Sequence, residues 1–534
     1  MIGQSGDIRL GIDLGTTYSV VATLDSDGEA VVLPNSLGEL TTPSVVTFAE
    51  PGSVLVGATA KQAAVAMPDR TVSLIKRHMG TDHPLYFDEV EHTPESISAL
   101  ILRGLLAGVV GREVEVSAVV TVPAYFGVRE REATQQACVL AGIDVLELLS
   151  EPVAAAIHYG FDGAAAGNFL IHDLGGGTFD TTVLRVMHGR TTVVATDGDT
   201  ELGGADWDGR LAEHLRAEFV RQSGAVDDPA DDEAFMADLL LLAERTKREL
   251  TGAESRVVRL RHAGHSIPVS VTRREFEATC DDLRERTHAY VRRVLSAAAA
   301  KGVTEIDRAL LVGGSSRMPM IASSLSESFG WPVELRDPDF AVAKGAAVRA
   351  AAHGARRTHG DAGRDDARRA GWEGAGHALT ADDIGALAPV VARGFGLLVH
   401  DSHEPSGSRT VVQHIIHQND PLPVRGRDLT VATIMTNQGS VRLEVFEQAG
   451  AVESAEPADN RRVLDGQLTG LPPSPAGSPI RICFHLSVDG RLQVTAVDVA
   501  SGRTLQLEAY VDGVLDTATR DQLASAITAL KVTQ

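Results

Sequence analysis

The sequence predicts an α/β domain followed by a β-sandwich, and three observations carry that expectation. From Ile8 to about Ala352 strand-like and helix-like segments alternate. Within that stretch a unit of strand, glycine-rich turn and strand occurs twice. From Pro389 onward the pattern changes to short alternating apolar runs, with Asp489-Gly490 and Ser501-Gly502 as turn signals, which is how antiparallel hairpins read. A chain of 534 residues exceeds what one core holds, so two or three domains are expected.

Taken in order, Ile8–Leu14 and Tyr18–Leu24 read as strands around a Gly-Thr-Thr turn. Val116–Val122 is a β-branched run that stops at Pro123, and Arg129–Ala141 follows with helical spacing. Phe169–Asp173 and Thr181–Val186 repeat the first hairpin. Met236–Leu250 is a helix by its apolar period, and Ala309–Val312 a short buried strand before Gly313-Gly314. Residues 355–383, rich in Arg, Gly, Asp, Ala and His, show no apolar period and read as a flexible linker. The later strands are Val431–Met435, Val441–Phe446, Ile480–Leu486, Leu492–Val497 and Thr504–Val511, with a helical tail at Thr517–Leu530. The expected divisions are 1–354, a linker 355–388, a sandwich 389–514 and a helix 515–534.

Composition removes several function classes. There are 72 acidic against 49 basic side chains, a formal net charge of -23, which opposes binding to phosphate backbones. Nucleic acid is not an expected partner. Cys138, Cys280 and Cys483 lie far apart, which argues against a disulfide scaffold or a cysteine metal site and suits a reducing cytoplasm. No window approaches the ~18 apolar residues of a membrane span and the first residues are polar, so no membrane association is expected.

The two hairpins carry the chemistry. One is Gly11-Ile-Asp-Leu-Gly-Thr-Thr-Tyr18 and the other His172-Asp-Leu-Gly-Gly-Gly-Thr-Phe-Asp180. Glycines at Gly15, Gly175, Gly176 and Gly177 let backbone N–H groups approach phosphate oxygens, while Thr16, Thr17 and Thr178 add hydroxyls. Asp13 and Asp173, each at a strand end, offer carboxylates to a hydrated Mg²⁺. No Gly-Lys-Ser/Thr follows, and a strand rather than a helix comes after the glycines, so neither a Walker A loop nor a dinucleotide fingerprint fits. Either motif alone could be an ordinary tight turn; two of them suggest a grip on one triphosphate.

The paired hairpins resemble the phosphate motifs of the actin, sugar-kinase and heat-shock-chaperone superfamily. Further segments narrow the resemblance to the 70-kilodalton heat-shock family: Ile75-Lys-Arg77, Thr121-Val-Pro-Ala-Tyr-Phe126, Glu151-Pro-Val-Ala-Ala-Ala156, Asp197-Gly-Asp-Thr-Glu-Leu-Gly-Gly204, Glu244-Arg-Thr-Lys-Arg248 and Leu311-Val-Gly-Gly-Ser-Ser-Arg-Met-Pro319. The resemblance implies a two-lobed, actin-like ATPase domain, ATP or ADP with Mg²⁺ as ligands, and a β-sandwich that binds extended apolar peptide. By this resemblance Lys76 reaches the γ-phosphate, Glu151 orients the attacking water, and Thr178 lies beside the γ-phosphate. Asp13 and Asp173 are the Mg²⁺ carboxylates. Pro123, Arg131 and Glu151 match a switch that relays nucleotide state. Tyr18, Gly203, Gly204, Glu244, Lys247, Arg248, Thr251, Gly313, Gly314, Ser315, Arg317 and Asp339 match the nucleotide pocket. Glu244, Lys247, Arg248 and Thr251 share one helix face by spacing.

In the sandwich the resemblance is weaker, and Leu397, Val399, Val431, Val441 and Leu443 take the peptide-groove positions, with core packing the alternative for each. Three departures stand out. Gly385-Ala-Leu-Ala388 and Pro389 replace the family's acidic, leucine-rich linker, which puts coupling between the sites in question. Glu147 stands where the family presents an arginine to J-domain partners, a reversal that opposes such contact. The sequence given stops at Gln534, where the family continues into a helical lid; a lidless member would release peptide quickly. The expected function is an ATP-hydrolysing chaperone of unfolded polypeptide, with a nucleotide-exchange factor as a further candidate partner. A nucleotide-dependent regulatory protein with one dedicated partner is the alternative. A sugar kinase of the same superfold is a third reading, which the heat-shock segments oppose.

Overall fold

The computed structural model describes residues 8–110, 115–160, 166–187, 190–224, 228–358, 389–401, 409–450, 452–487, 491–508 and 517–534. Two sheets share one topology. In the first lobe β1 (Ile8–Asp13), β2 (Tyr18–Leu24) and β3 (Ala30–Val32) pair antiparallel, while β4 (Val116–Val122) runs parallel to β1 and β5 (Ile143–Ser150) parallel to β4. In the second, β6 (Gly167–Leu174), β7 (Phe179–Met187) and β8 (Arg190–Asp199) are antiparallel, β9 (Arg308–Val312) is parallel to β6, and β10 (Val333–Leu335) to β9. Both sheets therefore run third, second, first, fourth, fifth. This is the two-lobed, actin-like arrangement, and it places the β1–β2 and β6–β7 turns at corresponding ends of the two sheets.

Sequence dictates these strands locally. β4 is buried along its whole length, as a β-branched strand flanked by parallel neighbours must be. Helices α1 (Val128–Leu140) and α2 (Glu151–Tyr159) follow β4 and β5, and α3 (Glu233–Gly252) belongs to the second lobe. Helix α4 (Ala341–Thr358) lies between β1 and α2 at minimal separation. A Cβ on Gly11 would overlap the backbone of Ala347, and one on Gly345 the carbonyl of Ala154. Glycine is required at both positions by packing, not by turn geometry.

The second domain is a sandwich of two four-stranded antiparallel sheets. One is β12 (Thr410–Ile416), β11 (Phe395–His400), β14 (Ser440–Gln448) and β15 (Asn460–Thr469); the other is β13 (Val424–Ala432), β16 (Pro479–Leu486), β17 (Leu492–Asp498) and β18 (Thr504–Glu508). Strict alternation along β16 turns Ile480, Ile482, Phe484 and Leu486 into the core. The expected strand Val431–Met435 is cut short, because β13 ends at Ala432 and leaves Ile434 and Met435 on an exposed loop. Helix α4 extends to Thr358, into the stretch read as linker; the rest of that stretch, Gly385–Ala388 and the Asp489-Gly490 turn lie outside the described residues. Helix α5 (Thr517–Ala529) is followed by a short strand, Lys531–Thr533, and both pack on the first lobe.

The sandwich rests on the start of α1 through charge. Glu447, fully buried, accepts a hydrogen bond from the Val128 N–H at 3.1 Å and pairs with Arg461 at 3.0 Å. Arg461 also bonds Glu130 at 3.0 Å, and Arg393 lies 3.3 Å from Glu130. Burial would raise the Glu130 carboxyl, but Arg393 and Arg461 outweigh it and hold it below its ordinary value. On the second lobe, the Thr196 N–H donates to Asn419 Oδ1 at 2.7 Å.

Gly11→Ala and Gly345→Ala should each lower stability by about 1–3 kcal/mol through overpacking. Gly209→Ala, inside a helix with open space at its Cβ, should raise it by up to ~1 kcal/mol; denaturant midpoints compare the three. Because the carboxyl of Glu130 titrates lower when folded, its contribution is complete above the ordinary value of 4.5 and is lost as pH falls through the depressed one. Arg461→Ala, which strands buried Glu447, should mimic that acid loosening at neutral pH, read as faster hydrogen exchange in Ser440–Gln448.

Candidate functional site

A cleft of about 780 Å³ lies between the two lobes. The hairpins meet in its floor. A Cβ on Gly176 would strike the Thr17 side chain, and one on Gly177 the Thr16 side chain. Gly203 backs directly onto Gly177. Gly15, Thr16, Thr17, Gly175, Gly176 and Thr178 line the cavity, whereas Gly177 and Gly203 stand behind its wall. The hydroxyl of Thr16 is buried without a protein partner, aimed where a ligand oxygen could accept from it.

Carboxylates crowd this floor. Asp13 accepts from Thr121 Oγ1 at 3.0 Å. Burial, reinforced by Glu151 and only partly offset by Lys76, pushes its carboxyl up to about 7. Burial, with Glu151 and Asp13, likewise raises Asp173 well above the ordinary range. Asp180, whose Oδ2 accepts from the Ala124 N–H at 2.9 Å, is raised by burial and Glu151. Among the described residues no three such groups are arranged to enclose a metal directly, so a cation here would be held largely through water, its charge keeping the carboxylates ionised. Asp13 and Asp173 are the two that would hold Mg²⁺ from the ends of β1 and β6.

Lys76 enters from a short helical turn, Ile75–His78, preceded by Leu74 at φ 57°. That left-handed conformation, costly for leucine, turns the lysine inward. Its ammonium lies 2.8 Å from Glu151 Oε1 and 5.7 Å from the Phe126 ring centre. Glu151 is the first residue of α2, where the helix dipole favours a carboxylate. Phe126 in turn connects to Pro123 and Arg131: its N–H bonds the Pro123 carbonyl at 3.1 Å, and Arg131 Nε donates to its carbonyl at 3.2 Å. Arg131 is on α1, the helix on which the sandwich sits. Glu151 is thus linked through Lys76 and Phe126 to Pro123 and Arg131, close in sequence to Val128 and Glu130, which contact the sandwich.

The cleft's other wall is built by α3. Glu244, Lys247, Arg248 and Thr251 all line it, as one helix face. Lys247 Nζ donates to the Gly204 carbonyl at 2.8 Å and pairs with Asp208 at 2.9 Å. Gly313, at φ 81°, approaches Asp173 and the Leu174 carbonyl so closely that no side chain fits. Gly314, Ser315, Arg317 and Asp339 complete the rim, with Arg317 Nε 2.9 Å from Asp339.

Sequence reading missed the closure of the mouth. Lys61 of the first lobe pairs with Glu244 of the second and bonds Tyr18 Oη at 2.8 Å; Tyr18 Oη also donates to Glu244 at 2.8 Å. Asp208 and Asp180 were missed as well. Only Asp180 had a signal, as the final residue of the second glycine motif. Of the groove candidates, Leu397 and Leu443 are buried in the sandwich core, while Val399, Val431 and Val441 are partly buried against it. Val431 lies on the opposite sheet from the other four.

Comparison with known proteins agrees with this arrangement. The family described as Hsp70 protein matches residues 9–94, 84–361 and 404–532. The "Chaperone protein DnaK" of Thermotoga petrophila is 36% identical over 518 residues, covering 94% of this chain and 80% of that protein. The protein of the same name from Thermosipho melanesiensis is 36% identical over 507 residues, covering 92% and 78%. The two-lobed cleft, the paired hairpins and these matches together make the chain a member of the Hsp70 family.

Proposed function

We propose that the protein is an ATP-dependent chaperone that binds and slowly hydrolyses ATP in the interlobe cleft and binds extended apolar polypeptide at its sandwich. The observation that carries this reading is the meeting of Gly176 and Gly177 with Thr17 and Thr16 beneath one cavity that also holds Lys76, Asp13 and Asp173. In this reading both turns direct backbone N–H groups at the triphosphate, and α3 with the Gly313–Ser315 turn encloses the nucleoside. Lys76 stabilises charge that develops on the transferred phosphoryl group, and Glu151 orients the attacking water. Mg²⁺, held through Asp13 and Asp173, would supply further positive charge at the phosphates when bound. Lys61, Tyr18, Glu244 and Arg248 bridge the lobes over the mouth and retain the nucleotide.

For the polypeptide site, the partly buried Val399 and Val441 and the exposed Ile434 and Met435 offer adaptable apolar contacts. A different observation favours the alternative of one dedicated partner. Glu147 is held by Arg349 at 2.7 Å and His353 at 2.7 Å, so the surface where relatives of this family present an arginine is closed by internal pairing. Binding to a panel of unrelated apolar peptides separates the two readings, since a dedicated partner domain would bind almost none.

Lys76→Ala should reduce single-turnover hydrolysis by ~10²-fold or more while changing ATP affinity far less. Unchanged hydrolysis in that variant would refute the role given to Lys76.

A further inference from the structure

The cleft between the lobes also holds apolar side chains to which the grip on a triphosphate gives no role. Helix α3 changes character along one face. Glu244, Lys247, Arg248 and Thr251 line the cavity toward its C-terminal end, and Leu240 and Leu241 line it one turn before Glu244. Facing them, Ala64, Pro68 and Leu74 of the first lobe line the same cavity. Lys61, the partner of Glu244, sits on the short helix Ala58–Ala63, and Ala64 comes one turn after it. The apolar strip therefore adjoins the polar bridge over the mouth. None of its five side chains packs into a hydrophobic core, although their neighbours do: Leu239 and Leu242 join the second-lobe core, Val72 and Ile75 the first. Leu240 is 44% exposed. One exposed leucine is ordinary, but apolar groups on two facing walls of a ligand cleft are not. Leu74 adds to this, since its φ of 57° suits glycine or asparagine better, yet a leucine side chain is kept at the cavity wall.

We propose that this strip is a binding annex for an apolar group carried on the terminal phosphate of a nucleotide, so that the cleft takes alkyl or prenyl esters of a nucleoside polyphosphate as well as ATP. This ligand class presupposes the nucleotide site proposed above. Continuity with that site selects the occupant. Leu74 stands two residues before Lys76, the group assigned to the γ-phosphate, so an ester at that phosphate starts its chain at the inner end of the strip. The nucleoside wall is at the other end of α3: Leu240 and Arg248 are about 12 Å apart along the helix axis. A free apolar molecule would lack the phosphate contacts of the two hairpins, and ATP alone would leave the strip to water. Each fully buried methylene tightens binding by about fourfold. Along a wall open on one side, a six-carbon chain should gain about tenfold in all. Such an ester would occupy the cleft in competition with ATP.

The full chain is titrated with ATP, with the γ-methyl ester of ATP and with its γ-hexyl ester, each with Mg²⁺, by displacement of a fluorescent ADP analogue from the cleft. The two esters carry the same charge, so their difference reads the apolar chain alone. The hexyl ester should bind about tenfold more tightly than the methyl ester. L240Q/L241Q, polar but suited to a helix, should bring the two esters within about twofold while ATP affinity stays as it was. Leu74→Asn, which suits the left-handed backbone, should narrow the gap in the same direction, and it answers from the other lobe if the helix variant is disturbed. Equal affinities of the two esters in the unaltered chain, with ATP bound normally, overturn the annex and leave the nucleotide site standing. A hexyl advantage that survives both variants overturns it too, since the alkyl chain then lies elsewhere. Failure of ATP itself to displace the analogue overturns the nucleotide site and the annex with it.

Discussion

The contact of two glycine–threonine bends governs this molecule. Gly176 and Gly177 face Thr17 and Thr16 with no space for a side chain on either glycine. That approach brings the two bends together at the cleft floor, while a buried cluster that includes Val119 and Leu149 of one sheet and Ile171, Leu184 and Leu310 of the other joins the two lobes beneath it. Asp13, Asp173, Asp180 and Glu151 crowd together there beside Lys76, a grouping in keeping with the charged ligand proposed for the cleft. Burial raises the carboxyls of Asp13, Asp173 and Asp180 together, the kind of perturbation that clusters at functional sites.

From that floor the structure leads outward by short steps. Lys76 touches Glu151, the lysine lies over Phe126, Phe126 bonds Arg131, and α1 carries the sandwich on its first turn. The sandwich contact is itself charged and buried, with Glu447 wholly enclosed. Buried ion pairs are demanding of geometry, since a partner lost leaves a charge without solvent. A displacement at α1 therefore bears on the whole contact at once.

Much of the fold was legible because glycine and β-branched residues announce it. β2 and β4 begin and end where the sequence placed them, and both hairpins were legible from their Asp-Leu-Gly and Gly/Thr turns. β5 escaped, since Asp144 and Glu147 interrupt its apolar pattern; the pairing that satisfies Glu147 comes from α4, far along the chain. In the site, residues on one hairpin or one helix face could be grouped by spacing, whereas Lys61 could not, because its partner Glu244 belongs to the other lobe. Glu447 reads as a polar residue on a strand and gives no hint that it is fully buried against another domain. The helix of Thr517–Ala529 was evident from composition, yet its seat on the first lobe depends on tertiary contacts that no local pattern encodes.

The central claim is that both bends grip one triphosphate, and calorimetric titration of the purified protein with ATP tests it most directly. The account predicts stoichiometric binding that is tighter with magnesium, and severe loss of affinity in Gly176→Val, whose side chain would fill the space between the bends. Absence of binding by the unaltered protein in the presence of magnesium, or undiminished affinity in Gly176→Val, would contradict it.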